Sequence, residues 1–295
     1  MIEQLIVLTI LRGSLYSLLA VGMSLIYGVG RIVHLAHTAL YMLAAFGLYH
    51  LASRFGLPMF ASMMVAVVGI SVVGLLVYRY LLDRIRQHPA AVLIVTVALA
   101  MAIQELMHQL MLRGYKTTLP LNVDSILPGY REILGIGVFD QQLLTVGIAA
   151  AVVIIVWLVL SRTKLGISIR ATANDPEVAS LMGISVSRTL MLTTAIGTAL
   201  AGVAAVLVAP LQGVIYYMWL APLMMVLVIV VLGGLGSIKG SIIGAFIIGL
   251  VEALVFTLIP THAYLYTVFA LAVMVVVLVV RPAGLFGTLF EEERL

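Results

Sequence analysis

Long apolar runs alternate with short polar breaks along the whole chain. Runs at about residues 5–27, 36–51, 59–79, 90–112, 142–160, 189–210, 220–235, 240–258 and 263–280 each predict a helix. About 20 consecutive apolar residues cross a hydrocarbon layer, and only helices or closed barrels satisfy their backbone groups there. Barrel strands alternate apolar and polar positions. Residues 223–232 and 263–280 do not alternate, so helices are predicted. The stretches 36–51 and 220–235 are the weakest, and either reads as a half-span or re-entrant segment. The expected fold is an all-α polytopic membrane bundle of eight or nine transmembrane helices.

Composition agrees. Hydrophobic residues make up 63% of the 295 positions, charged residues 9%, and the mean hydropathy is +1.23. A soluble domain carries about 25% charged residues, so this chain could not cover a water-facing surface. There is no cysteine, which removes disulfides and cysteine metal sites. The opening Met1-Ile2-Glu3 has no basic segment before its apolar run, which predicts a retained first span and no signal peptide.

Basic residues set the predicted orientation. With nine spans, one side receives Arg31, Arg79, Arg84, Arg86, Arg162, Lys164, Arg170, Arg188, Lys239, Arg281 and Arg294, out of 16 Lys and Arg in all. The other side receives Arg12, Arg54, Arg113, Lys116 and Arg131. The richer side is cytoplasmic by the positive-inside rule. That puts the N-terminus outside and the C-terminus inside; an eight-span count would change the N-terminal side. Two loops are long. The outer loop, 113–140, carries Pro120, Pro128 and Gly129 and predicts an ordered loop with a short helix. The inner loop, 161–188, is the most polar part of the chain.

Small residues recur every four positions, as in Gly236, Gly240 and Gly244, in Ser237, Ser241, Ala245 and Gly249, and in Gly197, Ala201, Ala205 and Ala209. Such rows let helix backbones approach closely in lipid. The run Gly233-Gly234-Leu235-Gly236 further predicts a break in the membrane path, a habit of transporters.

No enzyme chemistry emerges. The stretch Gly236-Ser237-Ile238-Lys239-Gly240-Ser241 lacks the GKS or GKT ending of a phosphate-binding loop. The chain therefore is not expected to hydrolyse ATP. There is no HExxH, no G-x-S-x-G and no Asp within a predicted span. Catalytic, metal and cofactor residues are expected to be absent.

Ionisable groups within spans cost about 2.5–3.5 kcal/mol at the bilayer centre and are functional candidates. Gln104, Glu105, His108 and Gln109 cluster on one span, where Glu105 shares a face with His108 and Gln109. Glu252 stands in the eighth span, and His34 and His37 flank the start of the second. His37, Gln104, Glu105 and Glu252 are the candidate lining of a solute path. Interhelical hydrogen bonding is the competing reading for each.

In the inner loop, Asn174 or Asp175 suits a helix N-cap and Pro176 the first helical position. Glu177 favours the positive helix end, and Gly183 is a helix stop. A helix of about two turns is predicted on the cytoplasmic side. The pattern Glu177-x-Ala179-x3-Gly183 resembles the E-A-A-x3-G loop of ABC importer permeases. Further blocks resemble the LivH-type permeases of branched-chain amino acid ABC transporters. They are Gly13-Ser14-Leu15-Tyr16-Ser17-Leu18-Leu19-Ala20, Leu25-Ile26-Tyr27-Gly28, Thr163-Lys164-Leu165-Gly166, Val231 through Ile238, and Arg281-Pro282-Ala283-Gly284-Leu285-Phe286-Gly287. They run in family order from residue 13 to residue 287. One stretch departs: where the family has Asn-Phe-Ala-His-Gly-Glu, this chain has His34-Leu35-Ala36-His37-Thr38-Ala39.

The resemblance implies that residues 1–295 form one permease domain in a bacterial inner membrane. The implied partners are a second, LivM-like permease, two ABC ATPases that bind ATP and Mg, and a periplasmic substrate-binding protein. Asp175, Pro176, Glu177, Ala179, Gly183 and Ile184 would couple to an ATPase. The solute would be a branched-chain or similar amino acid; urea, amides and aromatic acids remain alternatives within this architecture. A proton-coupled carrier acting alone is the alternative from another class, with Glu105 and His108 as its relay.

Overall fold

A computed structural model describes residues 2–115, 120–133 and 135–287. Lys116 and Arg294, placed above on the outer and inner sides, lie outside the described residues. Each of the nine apolar stretches forms a helix: α1 (Ile2–Gly30), α2 (His37–Tyr49), α3 (Met59–Val77), α5 (Pro89–Leu110), α6 (Asp140–Arg162), α9 (Val186–Gln212), α10 (Leu220–Gly233), α11 (Ile238–Leu258) and α12 (Tyr266–Val280). The three-residue α4 (Asp83–Ile85) follows α3. The inner loop holds α7 (Lys164–Asn174) and α8 (Pro176–Leu181). Single π-helical turns, His50–Arg54, Tyr78–Leu82 and Met111–Tyr115, extend α2, α3 and α5.

Six helices are long and apolar enough to cross a membrane, counted with their π-helical extensions. The other three are shorter: α2 has 13 residues, α10 has 14 and α12 has 15. Protein surrounds the two weak stretches. Nearly all of α2, from His37 to Leu48, is buried, as is α10 from Leu223 to Gly233 at most positions. The periphery is the reverse: α12 buries only Ala270, and Val279 and Val280 are about as exposed as a side chain can be. Apolar side chains facing outward on α3, α5, α6 and α12 are what a lipid environment requires.

The core is built around α1, which packs on α11 and α9, while α9 also packs on α2 and α3. Gly197, Ala201, Ala205 and Ala209 are all buried in that contact. At the α1–α11 crossing, a Cβ on Gly249 would stand 2.8 Å from the backbone nitrogen of Gly13, so only glycine permits the approach. That contact sets the helix register which the functional site uses.

The outer loop corrects an expectation. In place of a short helix it forms an antiparallel hairpin, β1 (Tyr130–Ile133) with β2 (Ile136–Phe139). Gly135, with φ of +75°, supplies the left-handed turn residue that a tight hairpin needs. Earlier in the same loop Leu121 exchanges two 2.8 Å backbone hydrogen bonds with Val214, just past α9. The polar inner loop also holds one helix more than expected, α7, capped by the Thr163 hydroxyl accepting from Gly166 N–H at 3.1 Å.

Loops assigned to one side meet one another. Arg31 after α1, Arg86 after α4 and Glu177 in α8 line one cleft. Phe139 before α6 and Gln212 at the end of α9 line another.

Candidate functional site

The inner site is assembled from short-range chemistry. Asp175 is the N-cap of α8, and its Oδ1 accepts from the N–H of Glu177 at 2.8 Å and of Val178 at 3.0 Å. Two of the four orphan N–H groups of the helix start are thereby satisfied. Pro176 occupies the first helical position, where its missing N–H costs nothing. At the other end Gly183 adopts φ of +82°. Its N–H donates to the Ser180 carbonyl at 3.0 Å, and the Ile184 N–H donates to the Ala179 carbonyl at 3.0 Å. These two bonds form a Schellman closure. The spacing Ala179-x3-Gly183 thus has a physical meaning: Ala179 is buried under the helix and accepts the closing bond, and Gly183 takes the left-handed position.

The opposite side of α8 is apolar and bare. Val178, Leu181 and Met182 are 55%, 86% and 79% exposed. Glu177 lies beside them and borders a 500 Å³ cleft with Arg31, Arg86 and Thr172. Three large apolar side chains at one helical tip on a polar face form a surface built to be covered.

A second inner structure joins α10 to α11. The helix stops at Gly233, Gly234 and Gly236 have φ of +100° and +83°, and α11 restarts after its N-cap Ser237, whose Oγ accepts from Gly240 N–H at 3.1 Å. The backbones of Gly233 and Gly240 touch, and a Cβ on Gly244 would stand 2.9 Å from the Ile229 carbonyl. The glycine run thus falls between the end of α10 at Gly233 and the start of α11 at Ile238. Sequence reasoning missed what the C-terminal block does. Leu285 and Phe286 N–H groups donate to the carbonyls of Leu232 and Gly233 at 2.9 and 3.0 Å, capping the end of α10. Blocks far apart in sequence, at 27–28, 235–237 and 286–287, close around one cleft.

The four candidate lining residues hold different partners and do not form one constellation. His37 is fully buried, and its Nε2 lies 3.2 Å from the Leu19 carbonyl. Gln104 Oε1 accepts from the Trp219 indole N–H at 2.7 Å, tying α5 to the start of α10. Glu105 points the other way: it accepts from Gln109 at 2.7 Å, stands 3.7 Å from His108, and is 63% exposed. Glu252 is the buried one. Its Oε2 accepts from the Tyr16 hydroxyl at 2.7 Å, and its Oε1 lies 3.4 Å from Arg12 Nε. Arg12 and Tyr16 were not singled out from sequence as site residues, although they sit four apart on one face of the first span, beside Gly13.

The same architecture occurs in known proteins. A solved structure titled PsaBC from Streptococcus pneumoniae in complex with Fab superposes with a TM-score of 0.51, covering 91% of this chain and 88% of that one at 16% identity. That likeness establishes the fold alone. Sequence relatives are nearer. The high-affinity branched-chain amino acid transport system permease protein BraD of Pseudomonas aeruginosa is 30% identical, over 93% of this chain and 92% of its own length. The similarly titled LivH of Escherichia coli K12 is 29% identical over the same shares. A probable branched-chain amino acid transport permease protein LivH of Methanocaldococcus jannaschii is 27% identical, over 94% and 90%. A family model described as branched-chain amino acid transport system / permease component matches residues 5–278, nearly the whole bundle. This multi-pass membrane chain belongs to the branched-chain amino acid transport permease family.

Proposed function

We propose that this chain is one of two permease subunits of an ATP-driven importer for branched-chain or similar amino acids in a bacterial inner membrane. The whole chain acts as one permease domain. Its partners are a LivM-like permease, two ABC ATPases carrying ATP and Mg, and a periplasmic binding protein that delivers the solute.

The observation that carries this reading is α8. It is capped by Asp175 at one end and closed by Gly183 at the other, and it leaves Val178, Leu181 and Met182 exposed among the described residues. A short helix with an apolar tip seated in a partner's groove moves with that groove as a rigid body. The preceding α7 runs directly into Asp175 and packs on α1, α6 and α9, so a push on α8 reaches the bundle. Closure of the ATPase dimer on ATP would then switch the pair of permeases between outward-open and inward-open states.

The test is gentle-detergent purification of the tagged chain from its native membranes, with mass spectrometry of what accompanies it. Two ATPases and a second hydrophobic permease are expected. A chain recovered alone or as a homodimer, with crosslinking also negative, contradicts the importer. Urea, short amides and aromatic acids are checked as competitors of uptake once the purified complex is reconstituted into vesicles.

A further inference from the structure

Two cavities in the outer half of the bundle adjoin through Arg12, Leu15, Val208 and Gln212, which line both. The first, of about 190 Å³, opens near Phe139 and Gln142 at the outer end of α6. The second, of about 170 Å³, lies deeper and is floored by Glu252, Tyr16 and Tyr41. Depth follows from helix geometry. Glu252 lies six residues before the outer end of α11 at Leu258, about 9 Å at 1.5 Å per residue. Arg12 lies ten residues into α1 from Ile2, about 15 Å.

The pair facing these cavities is not a saturated ion pair. Arg12 meets Glu252 through Nε alone, at 3.4 Å, and its side chain is 36% exposed, whereas that of Glu252 is 4% exposed. Among the described residues, no hydrogen bond engages the two terminal nitrogens of Arg12. The guanidinium instead lies over the Phe256 ring, 5.6 Å from its centroid. Glu252 spends one oxygen on Tyr16 and one on Arg12, and a carboxylate has about four acceptor sites, so two stay open. Stability does not explain the arrangement. Replacing a buried ion pair with apolar residues of similar volume is often neutral or stabilising, and charges inside a membrane are costly and mark solute paths.

We propose that Arg12 and Glu252, with Tyr16, form an intramembrane recognition site for an α-amino acid zwitterion with an apolar side chain. This rests on the amino acid importer reading. The planar guanidinium offers a two-pronged donor for the solute carboxylate. The open acceptor sites of Glu252 take the α-ammonium. Leu15, Val208, Pro222 and Phe256 surround the remaining space with apolar surface. Pair and zwitterion together carry no net charge, so occupancy buries balanced groups. An amine without a carboxylate satisfies only Glu252, and an acid without an amine only Arg12. A neutral urea neutralises neither charge.

The chain has no cysteine, so Gln212→Cys gives it a single thiol at the junction of the cavities, on an exposed residue. The complete transporter carrying this variant is reconstituted in nanodiscs and treated with a membrane-impermeant methanethiosulfonate. Mass spectrometry of this chain reads the modification rate. Leucine or phenylalanine is expected to slow it at least fivefold. 3-Methylbutylamine and 4-methylpentanoate, which lack the carboxylate and the amine of leucine, are expected to leave it unchanged. Adding Glu252→Gln should abolish protection at an unchanged bare rate. In vesicles, Glu252→Gln and Arg12→Lys should each lower leucine uptake at least tenfold in complexes that assemble normally. Equal rates with and without leucine, in a complex that imports leucine, overturn the site; so does equal protection by the two analogues. Should Glu252→Gln not assemble, Arg12→Lys with retained protection and uptake overturns it alone. Leucine protection in a complex that accumulates no amino acid sustains the site and sinks the importer reading.

Discussion

On the inner side, Asp175 caps α8 from two and three residues away, and the Gly183 and Ile184 N–H groups close it on carbonyls three and five residues back. In the outer half, Glu252 depends on Tyr16, 236 residues distant, and on Arg12 beside it. The inner device is made of backbone geometry and caps that neighbouring residues dictate. The outer one exists only because Gly13 and Gly249 let α1 and α11 touch. The difference separates two jobs. An element that transmits force must hold its own shape against a partner. A cavity wall can be assembled from distant helices and remain partly unsatisfied.

The largest expected effect lies at the helix break. Gly240→Val has no space, because any Cβ there overlaps the Gly233 backbone. We expect loss of monodisperse detergent-purified protein. Normal yield would mean that the α10–α11 contact is looser than described. Next come Gly183→Asp and Glu177→Lys, expected to cut uptake at least tenfold with insertion and assembly intact. The space beside Gly183 is open to 4 Å, so an added side chain meets no neighbour, and the backbone strain of a non-glycine residue at φ of +82° stays local to the end of α8. The loss comes from a new charge at the docking surface. Normal uptake in either variant removes the coupling role.

Smaller effects sharpen the same contrast. Asp175→Ala should cost about 1 kcal/mol of α8 stability and lower uptake several-fold, with Asp175→Asn near wild type. Trp219→Phe removes the bond to Gln104, worth about 1 kcal/mol, and should lower the thermal midpoint by a few degrees without changing partner binding. Least of all, Arg131→Ala breaks a 2.7 Å surface pair beside the hairpin, in which the Arg131 side chain is 69% and the Asp140 side chain 15% exposed. Such pairs contribute about 0–1 kcal/mol, so uptake and thermal midpoint should both stay at wild-type values.

Nine helices were legible because each is an apolar stretch, and six of them are long enough to cross a membrane. The cap and stop of α8 were legible because Asp175, Pro176 and Gly183 act on their own neighbourhood. Three features were not. The hairpin at 130–139 is built from a strand with three exposed residues and a glycine turn, which periodicity does not separate from loop. The role of residues 284–287 in capping α10 is a contact across the fold. Arg12 looked like one more outer charge, since nothing in the sequence says that α1 and α11 cross at Gly13. Glu105 shows the converse: an acid in a span is conspicuous, yet the side chain is turned outward and bonded to its own helix.

ATP-driven transport coupled through α8 is open to a direct test in sealed vesicles. Purified complex is sealed into vesicles with leucine and the binding protein on the side of α1's N-terminus, and ATP on the side of α8. Uptake and ATP hydrolysis are then followed together for the wild type and Gly183→Asp. Coupling through α8 requires accumulation only with ATP, abolished by the substitution while the complex stays assembled. Accumulation that runs on a proton gradient without ATP, and is indifferent to Gly183→Asp, would contradict it.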